Sequence, residues 1–429
     1  MSAAAEAEVR AEAAPDRRSR LGVRVPALLR ERTFRRYWSA QTISMFGDQI
    51  SSLALPLTAV LALHARAAQM SYLTAAVWLP SLLFAVHAGV WADRLGRRRM
   101  LMIAADVGRA ALLVSVPVCY VLHVLTLTLL YAVAFSAGAL STLFTVCDGS
   151  VSVAIMPDDQ YVEGTSLVYG SRALSFVGGP SLGGMLVQAL SAPFAIAADA
   201  LSFLGSAFFL HRVKPREAPA AVGGHGALSA GARFILGSPI VRASLISAAV
   251  INFFDFVFLA LFVLYATRSL HVRPGLLGLV LGAGAVGGVL GSLMTRRLAR
   301  RVGIGWAFVA GALMFPGPLA LVPLAGGPTV VVLGLLFAAE FLSGFGVMML
   351  DISIGSMFAV VIPAELRSRV SGAFQAVNYG TRPLGALAGG VLGTLIGLRP
   401  TLWLAAIGGV GGFLLVLHSP LPRFRMPSA

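Results

Sequence analysis

One cluster of charge between two long apolar runs constrains this chain most. The segment Ala88–Arg99 reads AGVWADRLGRRR, and its last seven residues hold one acid and four arginines. Apolar runs over 72–91 and 100–122 flank it. Each charge at the centre of a bilayer costs about 2.5–3.5 kcal/mol, so this cluster belongs in a loop between two membrane helices. Because arginine-rich loops lie on the cytosolic side, the segment predicts a short cytosolic turn.

The composition of the whole chain agrees with a membrane protein. The chain has 429 residues, of which 57% are hydrophobic and 12% are charged, and its mean hydropathy is +0.84. Soluble domains carry about 25% charged residues. Because a spanning helix needs about 20 apolar residues, this length accommodates about twelve helices with their loops.

Twelve apolar runs are visible, and with the turn at 93–99 in the cytosol both termini are cytosolic as well. Most of the 33 lysines and arginines then fall on the cytosolic side, as the topology rule requires. The sequence predicts a disordered cytosolic tail over 1–33, a six-helix bundle over 34–211, a cytosolic linker with a short surface helix over 212–242, a second six-helix bundle over 243–418 and a tail over 419–429. The runs, numbered as helices 1 to 12, are 37–63, 70–92, 100–122, 126–155, 162–190, 193–211, 243–267, 275–295, 304–325, 329–358, 368–397 and 400–418.

The two predicted bundles repeat each other. A shift of 206 positions carries Arg36 onto Arg242, and it carries Gly179, Gly183 and Gly184 onto glycines as well. The same offset accounts for matches spread over most of a half, which favours a duplication of one half. Since each half has six helices, both copies have the same orientation, which makes this a parallel repeat. The predicted fold class is therefore an all-α membrane protein of two related bundles.

Several function classes find no support. The net charge of +15 lies in short gaps between apolar runs, so no nucleic-acid partner is expected. Lys214 is the only lysine and no phosphate-binding loop surrounds it, and the seven histidines lack metal spacing. The glycines of 282–287 match a dinucleotide fingerprint, but they lie inside a membrane run with no strand before them. We expect no enzyme activity, no cofactor and no metal.

Two local motifs resemble those of the major facilitator superfamily. The segment GVWADRLGRRR is similar to that family's motif between helices 2 and 3, Gly-x-x-x-Asp-Arg-x-Gly-Arg-Arg. Helix 5 carries the core of the family's antiporter motif, Gly-Pro-x-x-Gly-Gly. The two glycines expected upstream of this core are absent, and Ser175 stands at the nearer position. The opening FRRYWSAQTISMFGDQISSLALPL and the string ADALSF are similar to drug and siderophore exporters, including macrolide efflux pumps and the enterobactin exporter. The residues concerned are Gly89, Asp93, Arg94, Gly96, Arg97 and Arg98 in the first motif and Gly179, Pro180, Gly183 and Gly184 in the second.

The resemblance implies a secondary transporter in which the first motif acts as an ion-paired conformational latch. The second half has Thr295 where the first has Asp93, so the first copy would carry the latch. Asp106 and Arg109 are three residues apart on helix 3, which predicts a local ion pair that supports this latch.

The acidic residues within the apolar runs are the candidates for proton binding. Seven carboxylates share the predicted membrane segments with three arginines, so not all can be ion-paired. The remainder must face water or be protonated, because an apolar medium disfavours the charged form, and a proton carrier needs that property. The acids are Asp48, Asp106, Asp148, Asp199, Asp255, Glu340 and Asp351, and the arginines are Arg109, Arg172 and Arg382.

Helical spacing selects among these acids. Polar residues recur every three or four positions with Asp48 on helix 1 and with Asp148 on helix 4, which is typical of a face turned to protein or water. Hydrogen bonding between packed helices explains such stripes without transport. Asp351 is expected in an ion pair with the arginines of the next loop, and Arg172 is expected to pair with Asp48 or Asp148. The candidates for proton or cargo coupling are Asp48, Asp148, Asp255, Glu340, Arg172 and Arg382.

The sequence thus predicts a proton-coupled antiporter that exports a hydrophobic or amphiphilic small molecule, such as a drug, natural product or siderophore. Its partners would be cargo, protons and membrane lipid. It would act as a monomer in the bacterial inner membrane. The alternatives are a lipid or lysolipid flippase on the same fold, an importer, and a membrane sensor or assembly partner without transport.

Overall fold

The described part of the chain is helical throughout. The computed structural model describes residues 27–157, 160–213 and 227–425, and within these ranges it contains no strand. The described residues form twelve long helices: α1 (Arg32–Leu57), α2 (Ala67–Leu95), α3 (Arg98–Val121), α4 (Leu127–Ile155), α5 (Tyr161–Leu190), α6 (Ala192–His211), α7 (Pro239–Arg268), α8 (Pro274–Val302), α9 (Ile304–Met314), α10 (Thr329–Val361), α11 (Arg367–Leu395) and α12 (Leu398–Leu417).

Eleven helical segments of the described chain are long and apolar enough to cross a membrane, with α9 and the short turns after it forming one of them. The twelfth, α11, has the length but carries Gln375, Asn378 and Arg382. It packs against α2 and α7. Polar side chains on a spanning helix must face protein or water, and these contacts provide protein neighbours.

The ordered helices extend beyond the predicted bundle limits. A short helix at Ala27–Arg30 lies inside the predicted N-terminal tail, where Leu28 is buried. α7 begins at Pro239 and not at 243, because the Ser238 hydroxyl accepts from the Val241 N–H and proline suits the first helical position. The predicted C-terminal tail contains a turn whose Leu421 is buried. The rest of the N-terminal tail, the first part of the linker and the last four residues lie outside the described residues.

Prolines break two of the predicted helices. The predicted helix 9 ends as an α-helix at Met314, and Gly317–Ala320 and Leu321–Leu324 follow as short helical turns. Pro316, Pro318 and Pro323 lie in this stretch, and none of them can donate a backbone hydrogen bond. The predicted helix 1 ends as an α-helix at Leu57, just after Pro56, and a π-helical turn at Thr58–Ala62 follows it.

The helix connections define two ends of the molecule. We call one the arginine-rich end, because α2 and α8 finish there in the arginines of 94–99 and 296–301. The opposite end, with the loops 63–66 and 269–273, is the far end. At the arginine-rich end, Gly96 closes α2 with a φ of 61°, a conformation that favours glycine.

The two bundles meet along two helix pairs, α5 with α8 and α2 with α11. Glycines allow the close approach. A Cβ on Gly278 of α8 would overlap the carbonyl of Pro180 and lie 3.0 Å from the Cα of Gly184, both on α5. A Cβ on Gly390 of α11 would lie 2.5 Å from the Cβ of Ser71 on α2. These contacts leave no room for larger side chains.

The apolar core shows where the bundles join and where they separate. Toward the far end, buried residues of both halves form one continuous cluster, which includes Leu53, Met70, Phe262 and Leu277. Toward the arginine-rich end, the buried residues form separate clusters, each within one half. The molecule is therefore closed at the far end and parted at the arginine-rich end.

The glycine seam gives a direct stability test. Changing Gly278 to alanine forces the seam apart, and overpacking of this kind costs about 1–3 kcal/mol. Gly334→Ala on α10 is the matched control, because nothing lies within 4 Å of a Cβ there. We expect thermal unfolding in detergent to begin at a lower temperature for Gly278→Ala than for Gly334→Ala. Equal unfolding temperatures would contradict the close α5–α8 contact.

Candidate transport site

Asp48 is an exposed carboxylate within a spanning helix. It is in the middle of α1, yet its side chain is 49% exposed. Gln41 and Ser44, on the same predicted stripe, are buried against neighbouring helices. Because a carboxylate on a spanning helix must face protein or water, we infer that the exposed side of Asp48 forms part of the wall of the space between the bundles.

Asp148 on α4 is bound by two donors from α1. The Tyr37 hydroxyl donates to Asp148 Oδ1 at 2.7 Å, and the Gln41 amide donates to the same oxygen. Tyr37 and Gln41 are one helical turn apart, so one face of α1 supplies both donors. These contacts satisfy one oxygen of the Asp148 carboxylate.

Arg109 on α3 is a buried guanidinium that contacts residues of three other helices. Its Cζ lies 4.7 Å from the ring centroid of Phe144 and 3.9 Å from that of Phe203. The guanidinium donates to Asp106 and, at 3.2 Å, to the Ser141 hydroxyl. Its Nη1 is also 3.9 Å from Asp48 Oδ1. Arg109 therefore links a fully buried carboxylate to one on the cavity wall.

The sequence predicted the Asp106–Arg109 pair from its spacing, and the structure contains it. The spacing gave no sign of the contact with Asp48, which comes from another helix. Asp199 on α6 was recognised as a buried acid but was not among the predicted site residues. It is 1% exposed and accepts a hydrogen bond from Ser202 at 3.0 Å.

The predicted pairing of Arg172 with Asp48 or Asp148 is absent from the described residues. The ion-pair partner of Asp48 is Arg109, and the exposed Arg172 side chain acts on Asp48 and Asp148 only from beyond contact distance. The reason is the rotation of α5. The neighbouring Ser171 faces α1, where Thr42 donates to it at 3.0 Å, so the next residue points about 100° away.

The second bundle places Asp255 and Glu340 on its inner helices. Both side chains are partly exposed, and neither is in an ion pair within the described chain. One turn before Asp255, Asn252 donates to Asn378 at 2.9 Å and ties α7 to α11. Glu340 on α10 lies against α8, where a Cβ on Gly284 would be 3.4 Å from Glu340 Oε2.

Arg382 on α11 lies among aromatic rings from both bundles. Its Cζ is 4.4 Å from the ring centroid of Trp78 on α2, 4.7 Å from Tyr379 and 5.4 Å from Phe256 on α7. Trp78 and Phe256 contact each other edge to face at 5.4 Å. The guanidinium is thus packed across the seam by cation–π contacts, which no sequence pattern indicated.

The predicted ion pair of Asp351 with the next loop is wrong. Asp351 is exposed on α10. Arg367, which follows that helix, donates instead to the backbone carbonyls of Ala359 at 2.7 Å and Ile362 at 3.3 Å. These carbonyls at the end of α10 lack helical partners, so they compete for the guanidinium.

The candidate latch lies at the arginine-rich end. Arg94 and Arg97 are exposed, and Arg98 is partly buried. A Cβ added to Gly89 would lie 3.9 Å from Val146 on α4. Arg99 donates to the carbonyls of Val213 and, at 3.3 Å, His211, which anchors the turn to the end of α6. The side chain of Asp93 is outside the described part of the chain, so its predicted latch contact stays a prediction.

The helix-5 motif lies where three helices cross. A Cβ on Gly179 or Gly183 would overlap or crowd α1 at Gln49 and Ile50. Gly184 and the Pro180 carbonyl face α8 at Gly278. The motif therefore supports the far-end closure next to Asp48 on α1.

Comparison with known proteins decides the family. The profile of the Major Facilitator Superfamily matches residues 37–380 and 245–427. The chain belongs to the Major Facilitator Superfamily. The MFS-type transporter YfiS of Bacillus subtilis is 27% identical over 373 residues, covering 84% of this chain and 86% of YfiS. The multidrug efflux pump Tap of Mycolicibacterium fortuitum is 26% identical over 382 residues, covering 83% of this chain and 88% of Tap.

Solved structures of the superfamily share the fold. A bacterial homologue of the iron transporter ferroportin in its inward-facing state has a TM-score of 0.76 at 16% identity, covering 91% of this chain and 98% of that one. A bacterial homologue of ferroportin in its outward-facing state has a TM-score of 0.57 at 17% identity, covering 90% of this chain and 98% of that one. The nucleoside transporter NupG has a TM-score of 0.69 at 13% identity, covering 90% and 98%.

These findings confirm the predicted superfamily and the helical two-bundle fold. Proteins of this superfamily are transporters and not enzymes, and the chain is a multi-pass membrane transporter.

Arg109 gives a second stability test. Arg109→Gln leaves Asp106 buried without its cation, and breaking a buried pair in this way costs about 3–5 kcal/mol. We expect earlier thermal unfolding for this variant, with partial recovery in the double variant Arg109→Gln with Asp106→Asn. Arg268→Gln, which changes an exposed arginine at the far end, should unfold as the parent does. An Arg109→Gln variant as stable as the parent would contradict the buried pair.

Proposed function

We propose that the protein exports a hydrophobic or amphiphilic small molecule in exchange for protons by alternating access. The single observation that carries this proposal is the half-exposed Asp48 carboxylate in mid-helix, on the wall of a space closed at the far end. Such a carboxylate can take up a proton or contact cargo during the cycle. The efflux pump Tap, similar over most of its length, supports export of a drug-like cargo.

The orientation follows from charge. The arginine-rich end is cytosolic by the positive-inside rule, so the described conformation faces the cytosol. Bacterial relatives support a place in a bacterial cytoplasmic membrane. We expect the protein to act as a monomer.

The energy of protons suffices for export. A proton that moves inward gains about 2.3 kcal/mol per 100 mV of membrane potential. It gains about 1.4 kcal/mol more for each unit of pH difference. At about 100 mV and about one pH unit, a neutral cargo could be held at a gradient of about 500-fold.

The proposed cycle couples the two movements at Asp48. In the conformation that faces outward, Asp48 and its cavity partners bind protons and cargo leaves. The bundles then rock about the α5–α8 and α2–α11 seams to face the cytosol. Cargo binding there releases the protons, and the loaded transporter returns.

Asp48→Asn tests this cycle in proteoliposomes with an imposed pH gradient. The panel contains ethidium, a neutral macrolide and a fluorescent lysolipid. For the parent we expect proton-driven movement of ethidium or the macrolide. For Asp48→Asn we expect at least about tenfold slower movement, because the amide cannot bind and release a proton at this site.

The matched control is Glu365→Gln, which removes an exposed carboxylate outside the long helices and should transport as the parent does. A parent that moves ethidium and the macrolide equally fast without the gradient would contradict proton coupling. A parent that moves neither would contradict drug export.

One observation favours lipid transport as a second candidate. A largely apolar crevice of about 290 Å³ lies at the seam between α5, α8 and α10. Ser181, Gly282 and Phe341 are among its lining residues. A groove of this kind could accept an acyl chain, and movement of the lysolipid alone in the same panel would select this candidate.

A further inference from the structure

Asp199 on α6 is a buried carboxylate whose role no motif explains. It is 1% exposed and lies in the middle of a spanning helix. Within the described chain it is in no ion pair, because Arg109 contacts Asp106 and approaches Asp48 instead. Its hydrogen bond comes from the Ser202 hydroxyl of its own helix.

Asp199 is pressed against the backbone of α1 beside Asp48. Gly47 leaves the space that the carboxyl group occupies, since a Cβ there would overlap Asp199 Oδ1 and the Ser202 side chain. The carboxylate of Asp48 acts on Asp199 electrostatically. The buried acid and the acid of the cavity wall are therefore neighbours at one crossing of α1 and α6.

The charges at this crossing do not balance if every acid is ionised. Asp48 on α1 and Arg109 on α3 act on Asp199, and Asp106 on α3 is paired with that arginine. On α5, which also packs on α6, Arg172 acts on Asp48 but is not in an ion pair with any of these acids. Arg109 is paired with Asp106 and only approaches Asp48, so with all three acids ionised the crossing would hold more negative than positive charge in a low-dielectric interior, which costs several kcal/mol per unpaired ion.

Two buried hydroxyls approach these carboxyl groups without reaching hydrogen-bonding geometry. Ser51 on α1 approaches Asp199, and Ser206 on α6 approaches Asp106. Ser51 is one turn from Gly47, so its hydroxyl lies on the α1 face that meets Asp199 and could accept a hydrogen bond from a protonated carboxyl.

We propose that Asp199 holds the exchanged proton in this conformation and that Asp48 connects it to the cavity. For release, the O–H bond of Asp199 breaks and an O–H bond forms on the Asp48 carboxylate, which passes the proton to cavity water. Asp199 is then a carboxylate beside Arg109, and Asp48 returns to its charged form. This assignment rests on the proton-coupled function proposed above and names the group that stores the proton.

Infrared spectroscopy of the reconstituted protein tests the assignment without any cargo. The carbonyl stretch of a protonated carboxyl is separate from that of a carboxylate. At neutral pH we expect the signal of Asp199→Asn to be smaller than that of the parent by one protonated carboxyl per chain. Glu365→Gln should leave this signal unchanged. An unchanged signal in Asp199→Asn would overturn the proposal.

Transport by the same variants separates this proposal from the proposed function. Asp199→Asn should lose pH-driven ethidium or macrolide movement at least tenfold, while cargo-for-cargo exchange without a gradient stays within about twofold of the parent, as expected if only coupling is lost. Retained exchange also shows that the variant is folded. If the pH gradient drives cargo transport equally in the parent and in Asp199→Asn, the role of Asp199 alone is overturned. If the pH gradient does not drive cargo transport by the parent, proton coupling itself is overturned.

Discussion

The structure depends on how charge is accommodated inside a membrane. An arginine within a spanning segment needs partners from the protein, because the hydrocarbon offers none. Arg109 has two aromatic rings, a hydroxyl and Asp106 around it, and it still approaches Asp48 on the cavity wall. One buried cation thus organises the contacts of α1, α3, α4 and α6. Any change in the charge of the acids around it alters how these four helices pack.

The second requirement is that the two bundles can move against each other. At the far end they share one apolar core, and glycines of α5, α8 and α11 bring the backbones close. Flat contacts between glycines let helices slide with little change in packing. The apolar clusters toward the arginine-rich end stay within single bundles, so opening there separates no shared core. Arg382, stacked on rings from both halves, adds a cation–π contact between the bundles.

The sequence predicted what depends on composition and local spacing. The fold could be predicted from the charge cluster at 93–99, the twelve apolar runs and the repeat. The Asp106–Arg109 pair could be predicted from the i,i+3 spacing of its residues. Contacts between distant helices could not be predicted in this way. They depend on the rotation of each helix about its axis, and helices that are apolar on nearly all sides give no clear inward face. The predicted ion pair of Arg172 with Asp48 or Asp148 is therefore absent at contact distance, and the stacking of Trp78 on Arg382 was missed.

The central claim is that carboxyl groups between the bundles exchange protons as the bundles tilt. Distances between spin labels test it most directly, with one pair at Leu95 and Val302 on the arginine-rich end and one at Val124 and Gly326 on the far end, in a background free of the native cysteines. Acidification from about pH 8 to about pH 5 protonates such carboxyls, so the account predicts a longer distance for the first pair and a shorter one for the second. Asp48→Asn should reduce this response. Distances in the parent that do not change with pH would contradict the account.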